Sequence, residues 1–164
     1  MINVSRDITG TDLLTLEDAK AWMRVDGTAD DALITSLITQ SRDLIEEYCS
    51  RSLANATISI IASARLSMKL PYAPVDAITS VKDKETGEDI TYEWDGLVLS
   101  MTQSVYNTFE VVYTAVVTAL PTGLMLGWKE VVLWLYENRG DTSSIGNMLN
   151  QNANLQIYRN KIWI

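Results

Sequence analysis

The chain has 164 residues, 47% hydrophobic and 21% charged, with one cysteine, no histidine and a formal net charge of -8. This is a folded chain of about one domain, long enough to bury roughly 70% of its unfolded surface, and not a disordered one. The lack of histidine excludes Ser-His-Asp and Cys-His catalysis and His-containing zinc sites; the single Cys49 excludes an internal disulfide; the acidic balance argues against gripping nucleic acid by neutralising phosphates.

Met1 to Gly10 carries no periodic pattern and reads as a strand or surface arm, without the charged and apolar segments of a signal peptide. No apolar run approaches the ~18 residues of a membrane span, so a cytoplasmic setting is expected. Leu14 to Leu53 reads as a short helix, a tight polar turn and a long helix. Thr15 is the expected cap of the first, at about 16–24, with Asp18 at the capping-box position and Leu16, Ala19, Trp22 and Met23 on one apolar side. Asp26-Gly27 ends it, and Thr28 or Asp30 is expected to cap the second helix, at about 29–51, with Asp30 and Asp31 at the positive end of its dipole. Along that helix Leu33, Ile34, Leu37, Ile38, Leu44, Ile45, Tyr48 and Cys49 keep to one stripe broken by Ser41, while Arg42, Asp43, Glu46 and Glu47 fall on the other face. Asp26, Asp30 and Asp31 could be taken for a cation or nuclease site, but helix capping explains each of them.

From Ala56 to Val117 the period changes to two, with Ile58 and Ile60, then Leu66, Met68 and Leu70, then Ile90, Tyr92 and Trp94, then Phe109, Val111 and Tyr113. The expectation is antiparallel sheet over about 57–117, with Lys84 to Glu88 as a polar hairpin loop and Asp95-Gly96 as a two-residue turn of the I′ kind. Pro121 opens a third helix, at about 121–139, stopped by Gly140. Its stripe of Leu124, Met125, Trp128, Val131, Val132, Leu135 and Tyr136 is widened by Leu133 and Trp134, so it is either the central helix or one whose second face meets another subunit. Asp141 to Asn154 reads as a polar linker, and the last ten residues, with Leu155, Ile157, Tyr158, Ile162 and Trp163 around Arg159 and Lys161, as a segment that folds back or docks on a neighbour. The fold class expected is α+β: an N-terminal helical pair and a C-terminal long helix packed with a small antiparallel sheet, in one domain over about 1–140, followed by a flexible arm at 141–164.

Four segments, in order, resemble the head-tail connector family of long-tailed bacteriophages, the adaptor or head-completion proteins below the portal. They are LTLEDAKAWMRVDGTADDALITSLITQSRDLIEEYCSRSL, LPYAPVDAITSVKDKETG, VLWLYENRG with its Tyr136-Glu137-Asn138-Arg139 signature, and the Tyr158-Arg159 pair. The chain departs from the pattern where VVYTAVVTALPTG lacks a Gly-Tyr after the last strand, and in a longer polar tail. The resemblance implies a structural virion protein with no enzymatic activity and no cofactor, forming a homo-oligomeric ring of about twelve subunits on the portal. Such a ring completes the DNA-filled head, leaves an axial channel through which DNA passes without specific binding, and offers a surface to a stopper or tail-completion protein. It sits at the head-tail junction of the virion, after assembly in the host cytoplasm and away from any membrane.

On this reading Leu37, Ser41, Leu44, Trp128, Leu133 and Trp134 are candidate subunit contacts. Leu155, Tyr158, Arg159, Ile162 and Trp163 are the candidate portal-docking arm, and Lys82, Lys84, Glu85 and Glu88 the candidate loop facing the lumen or tail. The alternatives are a DNA-packaging accessory or tail-completion factor of a prophage, or an unrelated small hydrolase or regulatory domain, the last marked by activity dependent on Asp30 and Asp31.

Overall fold

The computed structural model describes residues 2–63, 65–102, 108–139, 141 and 143–159. In chain order the elements are β1 (Ile2–Ile8), α1 (Leu16–Met23), α2 (Asp31–Cys49), β2 (Ala56–Ala62), β3 (Ser67–Lys69), β4 (Ala77–Asp83), β5 (Tyr92–Trp94), β6 (Val98–Met101), β7 (Phe109–Ala115), α3 (Thr122–Glu137), α4 (Ile145–Gln151) and α5 (Ala153–Arg159). The fold is α+β. It divides into one unit that holds the strands and another that holds the helices, the latter taking in residues on both sides of position 140.

In the strand unit β2 and β7 alternate buried and half-buried residues, because β-branched and aromatic side chains on every second position fill one face of a pleated sheet. They form the middle of an antiparallel sheet ordered β1-β2-β7-β4, with Arg6 opposite Ile58 and Ile58 opposite Tyr113, and a bulge in β4 between Ile78 and Ser80. A second sheet runs β3-β6-β5. One apolar cluster draws on both, joining Ile58, Ile60, Val111 and Tyr113 to Met68, Leu99 and Met101. Tyr113 lies fully inside and donates its hydroxyl to the Pro71 carbonyl; burial raises its pKa.

Two inward positions expected from the alternation differ. Leu66 sits just before β3, where its carbonyl accepts from Met101 N–H at 2.8 Å, and it is 67% exposed. Tyr92 lies on the edge strand β5 and is also exposed. The loop after β4 is the expected hairpin: Asp83 Oδ1 accepts from the N–H groups of Glu85 and Thr86, and Gly87 takes a positive φ of 74°. The next turn falls one residue later than expected. Gly96 and Leu97 are its central pair, and Leu97 lacks the positive φ that a I′ turn requires; Asp95 Oδ1 holds the N–H groups of Leu97 and Val98 at 2.8 and 2.6 Å instead.

In the helical unit Thr15 caps α1 as its sequence implies, accepting from Asp18 N–H at 3.1 Å and donating to Asp18 Oδ2 at 2.9 Å. Helix α1 ends at Met23 because Arg24 turns into the left-handed region at φ 56°. Helix α2 starts at Asp31, and the Asp30 side chain makes no capping bond. Of the apolar stripe of α2, Ile34, Leu37, Ile38, Ile45 and Cys49 are buried and Leu33, Leu44 and Tyr48 half-buried, while Arg42 and Glu46, read as solvent-facing, are buried too. Each is reached by chain from outside the helix: Arg42 pairs with Asp12 at 2.7 Å, besides its helix neighbour Asp43 at 2.9 Å, and Glu46 accepts from Leu53 N–H at 2.6 Å.

Gly140 lies outside the described residues, and α3 closes on Asn138, whose backbone and side-chain N–H groups both reach the Trp134 carbonyl at 2.9 Å. Most of the segment read as a polar linker is helical. Its asparagines act as a clamp: Asn152 and Asn154 donate to the Glu130 carboxylate of α3 at 2.9 and 3.1 Å, and Asn152 Oδ1 accepts from Leu155 N–H at 3.0 Å.

Candidate functional site

Inside the helical unit, α2, the end of α3 and the start of α4 enclose a groove of about 560 Å³. Leucines four to seven residues apart on α2, Leu33, Leu37 and Leu44, line one wall, since that spacing returns them to one side of a helix; Leu135 and Ile145 line the other. Asp43, Glu47 and Asp141 stand on its rim with Arg139. The Asp141 carboxyl is held below its ordinary range by bonds from Ser143 and Ser144, so the rim keeps its negative charge.

Beside the groove, the Tyr136-Glu137-Asn138-Arg139 signature serves a structural purpose. The Tyr136 hydroxyl donates to Asp30 Oδ2 at 2.5 Å, Arg139 approaches the same oxygen at 3.8 Å, and the Arg139 guanidinium lies 4.2 Å from the Tyr136 ring centroid. This ties the end of α3 to the start of α2. The bond to Asp30 raises the Tyr136 pKa, because removing the phenolic proton would set two negative charges together. The contact is therefore intact below about pH 10 and is lost as alkaline pH climbs through the raised value. Asp30→Asn is expected to bring the Tyr136 titration back towards its ordinary range, read by phenolate absorbance against the wild type; an unchanged titration would mean that the bond does not form.

Of the candidate subunit contacts, Ser41 and Trp128 lie fully inside the helical unit, with Trp128 Nε1–H donating to Ser41 Oγ at 2.8 Å. Bonded to each other across α2 and α3, they present no surface to a partner. Leu37 is buried on the wall of the groove, and Leu44, Leu133 and Trp134 are half-buried. In the arm, Leu155 and Tyr158 are buried against their own unit; Arg159 is exposed, 4.8 Å above the Tyr48 ring and bonded to Asn150 at 3.0 Å; Ile162 and Trp163 lie outside the described residues. The hairpin residues Lys82, Lys84, Glu85 and Glu88 are all exposed, with Lys82 3.5 Å from Asp89 and Lys84 3.2 Å from Glu110.

The acidic set does not gather. Asp31 pairs with Lys20 at 2.5 Å while Asp30 faces Tyr136, and among the described residues no three acidic or thiol groups converge as a metal site. Burial pushes the Cys49 thiol up to about 11, far from the thiolate that reactivity requires. What the arrangement offers is surface for association. Leu33, Leu135, Arg139 and Ile145 were not singled out as surface residues by sequence; the spacing of Leu33, Leu37 and Leu44 was the available signal.

No curated protein matches the chain in sequence. Among the solved structures that share its fold are three aligned over 100% of this chain and 97% of the other. They come from the neck of an empty GTA particle computed with C6 symmetry (TM-score 0.73, 17% identity), the virion of a native gene transfer agent particle (0.72, 19%) and the neck of a native GTA particle computed with C12 symmetry (0.69, 19%). The family model described as phage gp6-like head-tail connector protein matches residues 13–111, from the helical pair into the start of β7. Over more than half its length the sequence thus carries that family's pattern, and the chain belongs to the phage gp6-like head-tail connector proteins, a structural family.

Proposed function

We propose that this chain is the adaptor subunit of a ring beneath the portal, which completes the DNA-filled head, leaves an axial channel and presents the docking surface for a stopper or tail. The observation that carries the reading is the agreement of the family match with a fold shared end to end with chains from particle necks, two of them computed with C6 and C12 symmetry. The charge is consistent with a channel: about twelve chains at -8 each make a ring whose charge is on the order of -100, so a bore sharing that acidity repels the duplex and lets it slide. Leu44, Leu133 and Trp134 are the subunit contacts in this reading, and the end of the chain from Arg159, with Ile162 and Trp163, docks on the portal.

Native mass spectrometry over a wide concentration range, with negative-stain microscopy, tests the ring, first on the purified protein and then on its mixture with portal-bearing heads. Closed rings of about twelve subunits in either setting support the reading; a protein that stays monomeric in both overturns it. The exposed hairpin is assigned to the lumen or the tail-facing side. Deleting Lys84 to Glu88 is expected to leave thermal unfolding unchanged while impairing assembly, and a loss of thermal stability without an assembly defect would refute that assignment.

A further inference from the structure

The acidic-rimmed groove of the helical unit has apolar walls wide enough for a short segment, not a single side chain. An occupant must bring apolar surface together with positive charge. Among the described residues, the most exposed large hydrophobic side chain is Leu66, at 67%, just before the edge strand β3 and between Arg65, whose Nε–H also donates to the Ser63 carbonyl at 3.3 Å, and Lys69. No acidic residue lies between Glu47 and Asp76, so this corner of the strand unit is locally basic. Its backbone is already ordered, with Leu66 bonded to Met101 and Ser67–Lys69 paired to β6, and docking therefore costs little ordering entropy.

The other exposed apolar side chains fit less well. Trp22 has Arg24 close by, but Lys20 is taken up by Asp31, and Asp18 and Asp26 stand four residues to either side; Tyr92 adjoins Glu93, and Val116 has no charged neighbour in sequence; Ile157 has Arg159 for a neighbour, but that guanidinium is taken up by Tyr48 and Asn150. The hairpin lysines pair with Asp89 and Glu110 and carry no exposed large apolar side chain.

We infer that the groove of one subunit receives the Arg65–Lys69 corner of the next, with Leu66 against Leu37, Leu44 and Leu135 and the two basic residues facing Glu47 and Asp141. The contact joins two different surfaces of the same chain, and repeating it generates a head-to-tail ring. It rests on the ring reading above and specifies which faces meet. It also divides labour along the chain, leaving the C-terminal end from Arg159 for the portal.

Two measurements on assembled rings test the contact. Arg65→Glu with Lys69→Glu is expected to raise the protein concentration needed for ring formation about tenfold with no change in thermal unfolding, and adding Glu47→Lys with Asp141→Lys is expected to restore it. In addition, mixing Leu66→Cys protein with Leu44→Cys protein should give an oxidised cross-linked dimer between the two variants in the rings. Normal rings from the Arg65→Glu/Lys69→Glu variant, or rings without that cross-link, overturn the contact while the ring stands. A cross-link from Leu44→Cys to Trp163→Cys in place of Leu66→Cys would give the groove to the C-terminal arm and likewise overturn it. If the wild type forms no ring alone or on portal-bearing heads, the ring reading falls first and the contact with it.

Discussion

Trp128→Ala is expected to destabilise the helical unit by about 3–5 kcal/mol, the largest loss of any single truncation considered. The indole is wholly buried where α3 meets α2, and its Nε1–H donates to Ser41 Oγ at 2.8 Å and more weakly to the Ile38 carbonyl at 3.4 Å. Alanine removes the aromatic volume and opens a cavity between two helices whose backbones are held by many other contacts, so the site cannot collapse fully. Ser41 keeps its own bond to the Ile38 carbonyl at 2.8 Å, so the loss is packing more than an orphaned hydroxyl. Ser41→Ala should accordingly cost only about 1 kcal/mol. Urea unfolding followed by far-ultraviolet circular dichroism measures both; a Trp128→Ala loss under about 1 kcal/mol would show that the indole is not the keystone of this interface.

Gly127→Val should release α5 from α3. A Cβ at Gly127 would lie 2.6 Å from Leu155 Cδ2 and 3.0 Å from its Cγ, closer than carbon atoms pack, and one turn earlier a Cβ at Gly123 would meet the Tyr158 hydroxyl at 3.1 Å. The two glycines therefore let α5 approach the α3 backbone, and Leu155, fully buried, has no free volume into which to retreat. Overpacking of this kind costs about 1–3 kcal/mol, and the β-branched side chain gains little helix propensity to offset it. Hydrogen exchange is the discriminating measurement. Protection should fall across Ala153–Arg159 while the amides of α2 stay protected; uniform loss through the unit, or none, would refute a local role. Because α5 leads into the end of the chain proposed to dock on the portal, the same variant should weaken attachment to portal-bearing heads more than it weakens ring closure.

Several features were legible in the sequence because local chemistry decides them. Thr15 and Asp18 cap α1 because a hydroxyl and a carboxylate three residues apart satisfy the first turn wherever the helix sits. The stripe of α2 and the alternation of β2 and β7 were readable because periods of 3.6 and 2 follow from backbone geometry. The order of the four segments that pointed to the family is likewise a property of the chain alone, and the match over residues 13–111 bears out the family assignment.

Only the tertiary structure could decide what lies across from each element. Arg42 and Asp30 look like solvated charges until Asp12, 30 residues away, and Tyr136, 106 residues away, are brought beside them. Helices α4 and α5 were hidden because an Asn-rich segment has little propensity or apolar pattern of its own; their order is supplied by Glu130 accepting from two side-chain amides and by Leu155 filling the space that Gly127 leaves open. Composition excluded histidine chemistry and an internal disulfide, and periodicity located the main helices and strands. Which faces are spent on the core and which remain for a partner depended on contacts distant in sequence, because a buried charge or a groove between helices exists only once separate segments have met.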